Sequence, residues 1–186
     1  MNIMRRIPEV KAYGKTLKAR GETLALVPTM GNLHAGHLTL VKLAKRNADK
    51  VMVSIFVNPA QFGPREDFDT YPRTFESDCE KLKKLGVDVV FAPDTRDMYP
   101  ADVDTHTLVK NPSLSPILCG QTRPIFFQGI TTVVCKLFNI IKPDCAVFGE
   151  KDYQQWLCIQ QMVNDMHMDI EIIRAPIVRE ENGLAM

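Results

Sequence analysis

Two histidines three residues apart stand out in Met30-Gly31-Asn32-Leu33-His34-Ala35-Gly36-His37. An apolar run ending at Val27 precedes them, and Leu38, Val41 and Leu43-Ala44 follow at helical spacing. Backbone N–H groups at the start of a helix lack partners and attract anions. Imidazoles placed there add donors, and Gly31 and Gly36 let a bulky anion come close to the backbone. The chemistry this pattern suits is a phosphate site built from histidines.

A P-loop is the nearest rival, because Gly31 and Gly36 have the Walker spacing, with four residues between them. His37 and Leu38 then stand where a P-loop needs Lys and Ser/Thr, so the lysine for the outer phosphates and the hydroxyl for magnesium are both missing. The pattern that remains, H-x-G-H, resembles the signature of the nucleotidyltransferase superfamily, whose histidines contact nucleotide phosphates.

Further polar clusters follow other apolar runs. Gly149-Glu150-Lys151-Asp152 could border an adenosine, with Lys151 neutralising phosphate charge and Asp152 accepting from ribose hydroxyls or capping the next helix. Gln61 and Gln155 carry neutral amides that can orient the hydroxyl and carboxylate of a hydroxy acid, and Phe56, Pro59 and Phe62 could wall a branched substrate or simply fill the core. The acidic middle (Asp67, Asp69, Glu76, Asp78, Glu80) reads as helix-face charge. No metal ligand is assigned, since magnesium needs only one or two carboxylates beside phosphate oxygens. His106 and His167 read as surface or structural residues.

Around these residues, strands are expected over 24–27, 51–57, 87–91, 146–148 and 170–173, and helices over 36–47, 74–85, 129–141 and 153–166, with Gly86 as a left-handed cap. The alternation gives an α/β class, a doubly wound Rossmann-like parallel sheet with helices on both faces. Ligands in such sheets gather beyond the carboxyl ends of the strands, so the three polar clusters should share one crevice. Segment 92–128 reads as an irregular excursion with minor strands near 105–109. The 186 residues suit a single domain. A net charge of +1 with interspersed signs gives no argument for nucleic-acid binding. The clusters Lys42–Arg46 and Lys81–Lys84 read as solvated helix faces, and the five cysteines, with no C-x-x-C pair, as small core residues of a reducing, cytoplasmic compartment. No run approaches membrane-spanning length. The last residues, Arg179 to Met186, read as a turn opening into a further element.

Taken together, several stretches closely resemble the pantoate–β-alanine ligase family: Pro28 to His37, Ser54 to Phe62, Tyr71 to Thr74, Val133 to Phe138, Pro143-Asp144 and Phe148 to Gln155, all in family order. The resemblance implies ATP-dependent condensation of pantoate with β-alanine through a pantoyl adenylate, with ATP and Mg2+ required, AMP and pyrophosphate released, and a homodimer. It implies that Met30, Gly31, Asn32, Leu33, His34, Ala35, Gly36, His37, Gly149, Glu150, Lys151, Asp152, Val178 and Met186 hold ATP. His37 would donate a proton, with His34 and Lys151 beside it, and Gln61 and Gln155 would hold pantoate or β-alanine. It further implies that 1–186 is the N-terminal nucleotide- and pantoate-binding domain, with a C-terminal lid domain beyond Met186. One local departure is Arg123-Pro124-Ile125-Phe126-Phe127, where the family usually carries Arg-Pro-Gly-His-Phe. The alternatives are another H-x-G-H nucleotidyltransferase, acting on a phosphorylated small molecule, and a catalytically silent nucleotide-binding module.

Overall fold

A computed structural model describes residues 1–63, 68–101, 103 and 105–186. Its six strands are β1 (Asn2–Met4), β2 (Leu24–Thr29), β3 (Lys50–Ile55), β4 (Val89–Phe91), β5 (Cys145–Gly149) and β6 (Glu171–Ala175). The helices are α1 (Ile7–Arg20), α2 (Ala35–Asn47), α3 (Phe75–Lys84), α4 (Thr95–Met98), α5 (Cys119–Thr122), α6 (Phe126–Ile141) and α7 (Tyr153–Asp165), with 3-10 turns at Pro59–Gln61 and Glu150–Asp152. The strands form one sheet in the order β1-β4-β3-β2-β5-β6, and every pairing is parallel. The expected doubly wound architecture is therefore present.

Both faces of the sheet are covered, which is why the strands are near-continuous apolar runs. Ala25, Val27, Val51, Val53 and Val147 meet Val41 and Ala44 of α2 and Leu82 of α3 on one face. Leu26, Met52 and Ala146 meet Val10 and Leu17 of α1, the apolar stripe of α6 and Cys158, Ile159 and Met162 of α7 on the other. Successive strands step from β2 through β3 to β4 in one direction, then β5 starts again on the opposite side of β2. The crevice at that reversal lies between the ends of β2 and β5, where the residues from Met30 to His37 and from Gly149 to Asp152 emerge.

The structure departs from the sequence expectations in several places. β1 and α1 were not foreseen; α1 buries only Val10 and Leu17, and its Gly14 lets the helix approach the Ile141 carbonyl of α6. No strand forms among the described residues of 105–109, because Val109 N–H donates to the Thr132 hydroxyl at 2.9 Å instead of to a strand. α6 starts a turn earlier than expected, at Phe126, with the Arg123 guanidinium 3.5 Å over the Phe126 ring. Lys45 is exposed, as a solvated helix face requires, and its ammonium also donates to the carbonyls of Leu85 and Gly86, closing the C-terminal end of α3. Gly86 does adopt the left-handed conformation, at φ 67°. Cys145 and Cys158 are buried as expected, but Cys79 and Cys135 are only half-buried and Cys119 is exposed. Among the described residues, no helix is long and apolar enough to cross a membrane.

Gly129 in α6 has to be glycine. A Cβ there would lie 2.6 Å from the Ala60 carbonyl carbon and 2.7 Å from Gln61 Cα, so the helix packs directly on the 3-10 turn that carries Gln61. Gly129→Ala should force that turn away and lower stability by about 1–3 kcal/mol, read as a lower urea midpoint with an unchanged slope.

Candidate active site

The loop between β2 and α2 is held from below by one carboxylate. Asp78 of α3 is wholly buried. It accepts from the backbone N–H of Asn32 and of Leu33, each at 2.8 Å, and from the Thr74 hydroxyl at 2.9 Å. Lys81 stands 3.5 Å from it and donates to the Leu33 carbonyl at 2.7 Å. Asp78 and Lys81 are thus structural anchors, not the solvated helix-face charges expected; Asp67, of the same acidic group, lies outside the described residues. The anchored loop takes left-handed conformations at Gly31 (φ 87°) and Asn32 (φ 52°), and a Cβ on Gly31 would crowd Ile55 and Asp78 at 3.2 and 3.3 Å.

That turn delivers His34 to the N-cap of α2. The Gly36 N–H donates to His34 Nδ1 at 3.2 Å, and the His34 N–H donates to His37 Nδ1 at 3.4 Å. The two rings lie 4.1 Å apart. A backbone N–H can only donate, so both Nδ1 atoms are acceptors and each neutral ring carries its proton on Nε2. Burial, then the neighbouring His34 and Lys151, depress His37 to about 4; burial and Lys151 also lower His34. Both are therefore neutral Nε2–H donors at pH 7. Gly36 makes this possible, since a Cβ there would sit 2.9 Å from the His34 ring.

A cavity of about 360 Å³ opens at the β2/β5 reversal. Met30, Asn32, His34, Gly36, His37, Gly149, Lys151, Asp152, Val178 and Met186 line it, as do Gln61 and Gln155. Gly31, Leu33, Ala35 and Glu150 do not: Gly31 and Leu33 are buried in the anchored loop, Ala35 is exposed, and Glu150 pairs with Arg174 at 3.6 Å. The expected gathering of three clusters thus occurs. Asp152 sits at the N-cap of α7 without a side-chain cap bond, so the capping alternative does not hold.

One wall is apolar, but with a different membership from that expected. Phe56 belongs to it; Pro59 and Phe62 do not, and Phe62 packs edge-on against Phe68 and Tyr71. Ile130, Val133, Val134 and Leu137 of α6, with Phe148 of β5, join it. Their helical spacing was visible in the sequence, but the face they turn to the cavity was not. Ser54 was also missed: it lines the cavity at 1% exposure, and its hydroxyl has no hydrogen-bond partner within the protein. Ile125 and Phe126 stay off the lining. His106 lies against Tyr99 with ring centroids 4.5 Å apart and planes tilted by 41°, and His167 is exposed beyond α7.

Comparison with known protein families matches residues 2–186 to the one described as Pantoate-beta-alanine ligase. The chain belongs to that family. A pantothenate synthetase of Shewanella halifaxensis is 53% identical over 97% of the chain and 64% of its own length. One from Caldicellulosiruptor bescii is 52% identical over the whole chain and 65% of its own length. The chain therefore spans about two thirds of these relatives. Among solved structures, the pantothenate synthetase of Thermus thermophilus superimposes with a TM-score of 0.91 at 44% identity, covering the whole chain and 65% of that one. The pantoate-beta-alanine ligase of Francisella tularensis, complexed with beta-gamma ATP and beta-alanine, gives 0.94 at 40% identity, covering the whole chain and 70% of that one.

Asp78→Ala would leave two loop N–H groups and the Lys81 ammonium without their carboxylate. The expected loss is about 3–5 kcal/mol of stability, measured by chemical denaturation. Broadening of the His34 and His37 ring resonances should accompany it.

Proposed function

We propose that this chain is the nucleotide- and pantoate-binding domain of a cytoplasmic ligase that condenses pantoate with β-alanine at the expense of ATP. The observation that carries the reading is the meeting, in one cavity, of two neutral imidazole donors, a lysine and two carboxamides beside an apolar wall. Imidazoles and Lys151 suit a polyphosphate. Gln61, Gln155 and the wall from Phe56 to Leu137 suit a hydroxy acid with a branched apolar body. That the Francisella structure is of a complex with beta-gamma ATP and beta-alanine supports the same pairing of ligands.

In the first step the pantoate carboxylate attacks the α-phosphorus in line, and the bond to the pyrophosphate oxygen breaks. In the second the β-alanine amine attacks the carbonyl of the mixed anhydride and AMP leaves. Splitting the reaction replaces a poor acyl donor with one carrying a good leaving group. Positioning and charge stabilisation are most of what the protein must supply. His34 and His37 donate Nε2–H to phosphate oxygens as charge moves onto pyrophosphate. An incoming polyphosphate raises the His37 pKa from its depressed value. A ring that takes a proton from solvent on Nδ1, giving up the bond from the His34 N–H, can then pass one proton from Nε2 to the leaving pyrophosphate and return to the neutral form.

Magnesium would arrive on the phosphates and neutralise their charge. Among the described residues there is no cluster of three metal-ligating side chains, and the oxygens of Asp78 are taken up by Asn32, Leu33, Thr74 and Lys81. Asp152, exposed on the cavity rim with no cap bond, is the carboxylate that would face the ion. One carboxylate suffices for a phosphate-borne magnesium.

A homodimer fits the exposed apolar residues Ile117, Leu118 and Ile125 around α5. A charge of +1 gives nucleic acid no electrostatic footing.

Calorimetric titration of pantoate in the presence of a non-hydrolysable ATP analogue tests the reading, with isovalerate as control. Saturable binding of pantoate alone is expected. Equal binding of isovalerate, or preference for a phosphomonoester, overturns it. In the full-length protein His37→Ala should slow pyrophosphate exchange about 10²–10³-fold.

A further inference from the structure

Beneath the cavity, and outside its lining, lies Tyr99, 3% exposed just after α4. Its hydroxyl donates to Asn58 Oδ1 at 2.6 Å. Asn58 is 1% exposed, and its amide has only one workable orientation. The Ala60 backbone N–H, 3.3 Å away, can only donate, so the amide oxygen must face it. The Gly129 carbonyl, 3.2 Å away, can only accept, so the amide nitrogen must face that. This same nitrogen donates to Gln61 Oε1 at 3.0 Å.

The consequence falls on Gln61. Its oxygen is engaged by Asn58, which also reaches the cavity lining, and its Nε2 is left facing Met30 Sδ at 3.3 Å. A thioether is a weak acceptor, so this N–H is available to a better one. Burial pushes the Tyr99 hydroxyl well above its ordinary pKa, which keeps it a donor, and the Lys136 ammonium, 4.4 Å from the ring and bound to the Met98 carbonyl at 2.7 Å, fixes the ring in place.

We propose that Tyr99 is a positioning residue that acts through Asn58 to hold Gln61 with its N–H toward the cavity, where it receives an oxygen acceptor of the first-bound acid. The proposal rests on the hydroxy-acid reading above and adds to it a direction: at this point the acid must present a hydroxyl or carboxylate oxygen. It also separates two roles within the buried polar group. Asn58 sets the polarity and Tyr99 holds Asn58.

A double-mutant cycle tests it. Tyr99→Phe and Gln61→Ala are made singly and together, and pantoate affinity is read by NMR titration in the presence of a non-hydrolysable ATP analogue. Tyr99→Phe alone should weaken pantoate binding about fivefold, the worth of one neutral hydrogen bond, while affinity for the ATP analogue stays unchanged. In the Gln61→Ala background Tyr99→Phe should cost nothing further. An equal loss in both backgrounds marks Tyr99 as packing only, and no loss in the first removes it from the site; either result overturns the proposal.

A ligand-free readout separates this proposal from the reading beneath it. The Gln61 side-chain amide resonances, assigned by their disappearance in Gln61→Ala, should move in Tyr99→Phe, and their failure to move overturns the relay. If the unaltered chain takes no pantoate, the hydroxy-acid reading falls, and the amide resonances still decide the relay. If Tyr99→Phe does not fold, Asn58→Asp replaces it. The carboxylate still accepts from Tyr99 and Ala60 but offers Gln61 no N–H, so the Gln61 amide should turn over and its resonances shift. Unshifted resonances overturn the proposal.

Discussion

A buried carboxylate organises the histidine end of the cavity. The Gly31–Leu33 turn uses left-handed backbone at two consecutive residues, a conformation a free chain has little reason to keep. Asp78 supplies the reason by collecting two backbone N–H groups and a hydroxyl, with Lys81 balancing its charge and reaching back to the Leu33 carbonyl. Hydrogen bonds to a charged acceptor are the stronger kind, and a buried carboxylate without them would be costly. The turn and the carboxylate therefore stabilise each other. Everything downstream follows from where the turn ends: His34 at the N-cap, Gly36 beneath its ring, His37 one turn up.

Burial then decides the character of the two imidazoles. Charged histidines would attract phosphate more strongly, but at this position desolvation and Lys151 oppose charging. What results is a pair of aimed N–H donors that carry no standing charge, with Lys151 as the separate cationic element on the opposite lip of the crevice. The strand order puts the two lips side by side: β2 and β5 are neighbours, and the chain order reverses between them. The second half of the cavity follows another rule. Most of its apolar wall comes from α6, and the Gln61 carboxamide is oriented by its buried neighbour Asn58, not by solvent.

Much of this was legible in the residues. The apolar runs at 24–27, 51–57 and 146–148 carry the sheet because strands covered on both faces must be apolar throughout. The two histidines of the H-x-G-H spacing line the cavity, and the polar residues that follow the buried strands met where the parallel-sheet rule places them. Asp78 was not legible. Set among Glu76, Glu80 and Lys81 it has the composition of a solvated helix face, and only a contact with a loop more than forty residues earlier buries it. α1 was missed because a helix with two buried residues and a central glycine has little amphipathic signal. The strand expected at 105–109 failed because the Thr132 hydroxyl answers a backbone N–H that a neighbouring strand would have answered. Which face of α6 lines the cavity, and which way the Gln61 amide turns, depend on packing between distant segments that periodicity does not encode.

The central claim is that the fold presents neutral imidazoles, protonated on Nε2, to a polyphosphate. Nitrogen-15 NMR of the histidine rings through a pH titration measures this directly. The account predicts that His37 carries its proton on Nε2 at neutral pH and titrates near 4, below the ordinary 6.5, and that triphosphate raises that value. A His37 that titrates near 6.5, or carries its proton on Nδ1, would contradict the account.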